Sequence, residues 1–172
     1  MRAAIYDGHP GTVRLAVDYV EPEPAAGEVR VRITLAGICN TDLEILRGYG
    51  SLRGVLGHEF VGVVDQAEDE DLVGRRVVGE ISIYCGDCEM CRAGHTGHCL
   101  NRTTLGIRNR DGVLAETVVL PARVLHLVPD HIPDEVAVFT EPLAAGCEIL
   151  EQVQIRPTDR VVVLGDGKLG LL

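Results

Sequence analysis

The chain has 172 residues, 46% of them hydrophobic, which is enough for one ordinary domain with a core and a start on a second. Acidic residues outnumber basic ones 26 to 16, the formal net charge is −10 and aromatics make up 3%, a balance that excludes the basic patch and stacking platform of a nucleic-acid binder and any surface built for anionic membranes. No apolar stretch reaches membrane length, and Met1–Tyr6 reads as a strand rather than a leader, so a reducing cytoplasm is the expected compartment.

Met1–Tyr6 and Thr12–Val20 are predicted strands, separated by the turn-forming run Asp7–Gly–His–Pro–Gly11. Glu21–Gly27 carries two prolines and is a surface loop. From Glu28 to Leu35 the pattern alternates, with Val29, Val31, Ile33 and Leu35 on one side, which predicts a half-buried strand. Gly37 ends it, and Thr41 or Asp42 is the expected cap of a short helix carrying Leu43 and Leu46. Cys39 falls at this strand-to-helix corner, where a functional side chain is at home, although on Cys39 alone a small buried hydrophobe is the favoured reading.

A second strand is expected after Glu59, which would turn His58 and Glu59 to opposite faces if it has already begun there. Alone, His58 reads as a core histidine. Asp65–Asp71 is an acidic, solvated turn, and Gly74–Ile83 is predicted to return as one strand.

The loop that follows holds Cys85, Cys88, Cys91 and Cys99, with Gly86, Gly94 and Gly97 permitting tight turns. Thiolates are soft ligands that suit zinc, and four of them close a tetrahedral structural site with no open position. The competing readings are two disulfides or simply buried thiols. Either way such a loop holds a lobe together and performs no chemistry.

Further short strands are expected at Gly106–Ile107, Gly112–Leu120 and Val124–Val128, a pattern that suggests a barrel or sandwich. The period then changes, and Asp134–Val153 is a predicted helix interrupted at Pro142, with Cys147 a buried thiol. Glu141 sits at the interruption in an apolar neighbourhood. It is either a carboxylate favoured by the helix dipole or a functional acid. Asp159–Leu164 is a predicted buried strand running into Gly165–Asp–Gly167–Lys–Leu–Gly170, a G-x-G-x-x-G turn that lets backbone approach a pyrophosphate at a helix N-terminus.

Taken in order, these segments resemble the zinc-dependent medium-chain alcohol and polyol dehydrogenases over the whole chain. Cys39 with Thr41 and Asp42 is similar to the family's first catalytic-zinc segment, and Gly57–His58–Glu59 with Gly62 to the second. Cys85, Cys88, Cys91 and Cys99 resemble its structural-zinc lobe. Glu141–Pro142–Leu143 is similar to the stretch that supplies a third catalytic position in the polyol, threonine and glucose dehydrogenase branch, where classical alcohol dehydrogenases use cysteine.

The resemblance implies a mainly β, GroES-like catalytic domain over residues 1–157. It implies the first strand and Gly-rich turn of a Rossmann domain over 158–172, on a chain cut short there and without turnover as it stands. It implies one structural zinc and one catalytic zinc, the latter on Cys39, His58 and a carboxylate from Glu59 or Glu141. Thr41 would take the substrate's hydroxyl proton, and Asp42 would orient His58. Many members have a histidine at the end of the relay; here that position is Glu44, and either Glu44 serves in its place or protons leave by water. The family signature also expects a small residue after Gly62 where this chain has Glu68. Gly165, Gly167 and Gly170 would meet NAD or NADP. The expected reaction is hydride transfer from a secondary alcohol or polyol, in a homo-oligomer that binds neither nucleic acid nor membrane. The rival reading is a non-catalytic zinc-binding GroES-like module with a structural or interaction role.

Overall fold

The alternating run becomes the central strand of the molecule. In the structure, a computed structural model that describes residues 1–172, that strand is β3 (Glu28–Gly37). It pairs antiparallel with β5 (Glu59–Gln66) on one side and β9 (Thr117–Pro121) on the other. The sheet continues through β6 (Arg76–Gly79) to β10 (Leu125–Leu127), giving the order β10-β6-β5-β3-β9. A smaller sheet packs β1 (Ala3–Tyr6) between β2 (Arg14–Ala16) and β4 (Gly54–Val55). Residues 113–116 join the two sheets. Ala4 N–H donates to Leu114 O, Leu114 N–H to Leu56 O, and Ala3 bridges Ala115. The result is the curled, barrel-like β architecture expected from the many short strands.

The main core lies inside this curl. Val29 and Val31 of β3 meet Phe60 and Val64 of β5, Val77 of β6, and Val118 and Leu120 of β9. Leu105, Val113 and Val124 close it from the loops. A second cluster of Tyr6, Ile45, Leu52 and Leu56 seats the short helix α1 (Asn40–Leu46). Ile45 is fully buried there, and burying such a side chain stabilises by roughly 1.5–3 kcal/mol. A third cluster packs Ala137 and Val138, around helix α3 (Asp134–Ala137), against Val61, Val78 and Val128.

Several elements differ from the sequence-based expectation for local reasons. The Thr12–Val20 run keeps only three paired residues, because Val17 and Val20 have no strand beyond them and stand exposed. The run from Gly74 to Ile83 divides: β6 stays in the large sheet, while β7 (Ser82–Ile83) pairs with β8 (Thr103–Thr104) at the neck of the cysteine lobe. Within that lobe, α2 (Glu89–Arg92) is a single turn. Pro142 does not break its helix. It falls in the first turn of α4 (Thr140–Gln152), where a missing N–H has no intrahelical partner to lose, and the interruption lies earlier, at Val138–Phe139. No residue of α4 is buried, and Cys147 is exposed rather than buried. Val161–Leu164 forms no strand. A buried parallel strand needs neighbours on both edges, none pairs with it here, and all four residues are exposed.

Candidate functional site

Cys39 caps α1, and Asp42 holds it there. The expected cap was Thr41 or Asp42, but Cys39 has the extended backbone of an N-cap, and Asp42 occupies the third helical position. From there its Oδ2 accepts the Cys39 N–H at 2.9 Å, the carboxylate half of a capping box. Its Oδ1 accepts the Gly57 N–H at 3.2 Å. A buried carboxylate is costly unless its oxygens find donors, and Asp42, 2% exposed, finds two from two different segments. One acid therefore fixes the corner of Cys39 and the turn before His58 relative to each other.

His58 is 2% exposed and follows Gly57, whose φ of +93° turns the chain into β5. Its Nδ1 lies 3.5 Å from Asp42 Oδ1 and has no hydrogen bond, so the ring faces that carboxylate at slightly more than bonding distance and leaves Nε2 for another partner. Glu59 opens β5 opposite Gly37 of β3. Because the strand starts at Glu59, strand alternation does not separate it from His58, and the two side chains converge. The Glu59 carboxylate lies across Gly37, where an added Cβ would stand 2.3 Å from Oε2. Gly37 reads in the sequence only as a strand end. The signal for its role was a glycine inside a strand pattern, which marks a close approach.

The outcome is a three-donor cluster: the ligand atoms of Cys39, His58 and Glu59 lie within 4.8 Å of one another. Thr41 Oγ1 sits 3.6 Å from Cys39 Sγ. Glu141, in the first turn of α4, stands beside this cluster without joining it. Burial raises its carboxyl above the usual range, the nearby Glu59 carboxylate raises it further, and His58 opposes both. Glu44, partly exposed and one turn along α1 from Thr41, is in an ion pair with Arg47 at 2.5 Å. Thiolate, imidazole and carboxylate gathered at this spacing, with the His58 ring turned so that Nδ1 faces Asp42 and Nε2 is left for another partner, fit a zinc site that keeps one position open.

The second cluster is built locally. Cys85 Sγ lies 3.5 Å from Cys99 Sγ and 4.0 Å from Cys91 Sγ, and Cys88 Sγ lies 3.9 Å from Cys99 Sγ. Disulfide sulfurs stand about 2.05 Å apart. A tetrahedron with Zn–S bonds of about 2.3 Å has edges of about 3.8 Å. The four thiols therefore have the spacing of a shared cation, and none is paired as a disulfide. Cys85 N–H points at Cys99 Sγ at 3.3 Å, and Cys88 N–H at Cys85 Sγ at 3.4 Å. Backbone donors, foremost the Cys91 N–H, lower the Cys88 thiol to about 6, while desolvation pushes Cys91 up to about 12. Four such sulfurs ionise together only around a cation, so metal binding here releases protons.

The Gly-rich turn forms without a strand before it. Gly165 has φ +107°, Leu171 N–H returns to Gly167 O, and a Cβ on Gly170 would meet Gly165 O at 2.2 Å. A separate cleft of about 570 Å3 near Tyr19, Arg110 and Asp111 shares no residue with either cluster. No helix is long and apolar enough to cross a membrane.

The sequence profile of the alcohol dehydrogenase GroES-like domain matches residues 25–130, which spans β3 to the end of β10 and both clusters. The starvation-sensing protein RspB of Escherichia coli K12 is 36% identical over 156 residues, covering 87% of this chain and 46% of that protein. An L-threonine 3-dehydrogenase of Anaeromyxobacter sp. is 34% identical, covering 100% of this chain and 52% of the relative. Among solved structures, an alcohol dehydrogenase (rspB) from E. coli CFT073, complexed with the cofactor NADH, superposes with a TM-score of 0.89 at 34% identity, covering 99% of this chain and 51% of that one. The chain spans about half the length of the relatives it matches. With more than half of its length matched by that domain, and with the fold shared with solved alcohol dehydrogenases, the chain belongs to the GroES-like, medium-chain zinc alcohol and polyol dehydrogenase family.

Proposed function

We propose that residues 1–157 are the catalytic domain of a zinc-dependent, NAD(P)-linked dehydrogenase acting on a secondary alcohol or polyol, and that residues 158–172 begin its dinucleotide-binding domain. The observation that carries this reading is the convergence of Cys39, His58 and Glu59 within 4.8 Å, with Glu141 beside them. A purely structural module needs the four-cysteine lobe and has no use for a second, mixed donor set. The L-threonine 3-dehydrogenase relative supports a secondary-alcohol substrate, and the NADH complex of the E. coli structure supports a nicotinamide cofactor.

In this reading Cys85, Cys88, Cys91 and Cys99 hold a structural zinc. Cys39, His58 and a carboxylate from Glu59 or Glu141 hold a catalytic one. Bound there, zinc supplies Lewis acidity that eases loss of a substrate hydroxyl proton. Asp42 keeps His58 and Cys39 in place from behind. Thr41, with its hydroxyl beside Cys39 Sγ, would relay the proton, accepting it on Oγ1 while giving up its own hydroxyl proton to the next group or water. Glu44 lies three residues further along the same face of α1 and delivers the proton to solvent, with Arg47 holding it at the surface. Gly165, Gly167 and Gly170 present backbone to the cofactor's pyrophosphate.

The deciding experiment is zinc content by native mass spectrometry on the 172-residue chain. Two zinc ions per chain are expected, falling to one in Cys39→Ala. A single ion that survives Cys39→Ala leaves the structural-module reading in its place.

A further inference from the structure

Glu141 reaches the donor cluster from a helix with no buried residue of its own, so something else must hold that helix against the sheet. The hold lies seven residues upstream. Asp134 opens α3, and both of its carboxylate oxygens are engaged. Oδ1 pairs with Arg76 Nη2 at 2.7 Å, and Oδ2 accepts the Thr34 hydroxyl at 2.7 Å. Arg76 Nη2 also donates to Ile132 O at 2.6 Å, just ahead of α3. Thr34 Oγ1 lies 3.1 Å from Val61 O as well.

The placement of these partners is specific. Thr34 is the unpaired residue of a β-bulge: Ile33 faces Gly62 and Leu35 faces Val61, so Thr34 has no partner across the ladder. Bulges re-aim side chains, and this one turns a hydroxyl toward Asp134. Arg76 stands on β6 on the other side of β5. Asp134 therefore straddles β5, the strand whose first residue is Glu59, and ties α3 to β3, which leads into Cys39. From Asp134 to Glu141 the chain is helical except at the joint, and the joint is bridged: Thr140 Oγ1 donates to Ala137 O at 2.7 Å and Leu143 N–H to Phe139 O.

We propose that Asp134, through Arg76 and the bulge hydroxyl of Thr34, is a positioning residue that sets Glu141 against the metal site formed by Cys39, His58 and Glu59. This rests on the reading of Glu141 as a carboxylate of that site. A carboxylate that engages two strands fixes both the distance and the rotation of α3, and with them the approach of the first turn of α4. The apolar seat of Ala137 and Val138 supplies adhesion but no such register.

The test is a zinc competition titration on the 172-residue chain with a chromophoric chelator, which resolves the tight four-thiolate site from the weaker mixed-donor site. Asp134→Asn keeps the side-chain shape and removes the charge. It should weaken the second site about three- to tenfold and leave the first unchanged. Thr34→Val removes one tether only and should have the smaller effect in the same direction; it decides the matter if Asp134→Asn does not fold. Glu141→Gln should weaken the second site by about tenfold or more. Combining it with Asp134→Asn should add nothing, because both act through one group. Cobalt(II) in the second site should show the same shift of its visible bands in Asp134→Asn and Glu141→Gln. If Glu141→Gln leaves affinity and spectrum unchanged, the assignment of Glu141 to the site fails, and the inference with it. If Glu141→Gln weakens the site while Asp134→Asn and Thr34→Val do not, or if the two losses simply add, the assignment stands and the positioning role of Asp134 is overturned.

Discussion

The molecule gathers side chains of metal-ligand type in two places, and it builds the two clusters in opposite ways. In the lobe, four like donors come from one stretch of 85–99, and their spacing is set by short turns and by backbone N–H groups aimed at sulfur. Little core stands behind them: Cys99 is buried, and the other three are only partly covered. In the mixed cluster the donors differ in kind and come from the corner after β3 and the start of β5, with Glu141 of α4 beside them. They rest on the main sheet and on Asp42. The lobe takes its shape from its own short turns, whereas the mixed cluster is held in shape by the sheet and by Asp42 behind it.

The contrast breaks most visibly by removing one lobe thiol. Cys99→Ala should lose the lobe's ion and expose residues 85–100 to protease, with a stability loss of ~3 kcal/mol or more and a melting temperature lower by roughly 10 °C. The mixed cluster should keep its zinc, because it shares no donor with the lobe. Calorimetry with metal analysis reads both outcomes, and loss of both ions would show that the two sites fold as one.

Next in size is Asp42→Ala, the reverse experiment. It strands the N–H groups of Cys39 and Gly57 in a buried place and frees the His58 ring, at a cost of about 2–4 kcal/mol. Zinc affinity of the mixed site should fall about 10–100-fold, while the lobe's affinity stays unchanged. Equal losses at both sites, measured by competition titration, would mean that Asp42 acts on the fold at large.

The smallest effect sharpens the comparison without breaking either part. Gly37→Ala places a methyl group where the Glu59 carboxylate lies. The acid end can swing aside, but Glu59 Cβ at 3.0 Å must shift as well, so stability should fall by about 1 kcal/mol, while the mixed site loses about tenfold in zinc affinity if Glu59 is among its ligands. An unchanged affinity would point to Glu141 as the carboxylate that serves the site.

The sequence determined what is local. Spacing alone marked the four-cysteine lobe, alternation marked β3, and the order of Cys39, His58, Glu141 and Gly165–Gly170 marked the family. These signals survive in a linear string because each is a run of neighbours, or a recurrence of a type of neighbour. Only the tertiary structure decided that Cys39 itself caps α1 while Asp42 reaches back and across to Gly57. It alone put Glu59 on the same side as His58, because the strand begins at Glu59 and alternation does not reach back to His58. It seated Pro142 inside a first turn, and it left Val161–Leu164 unpaired, since a strand exists only where another backbone offers hydrogen bonds. The Thr34 bulge and the Asp134 fork carry no sequence pattern at all. They join residues up to 100 positions apart, and the hydrogen bonds that set them follow from how three strands and a helix pack rather than from what stands next to what.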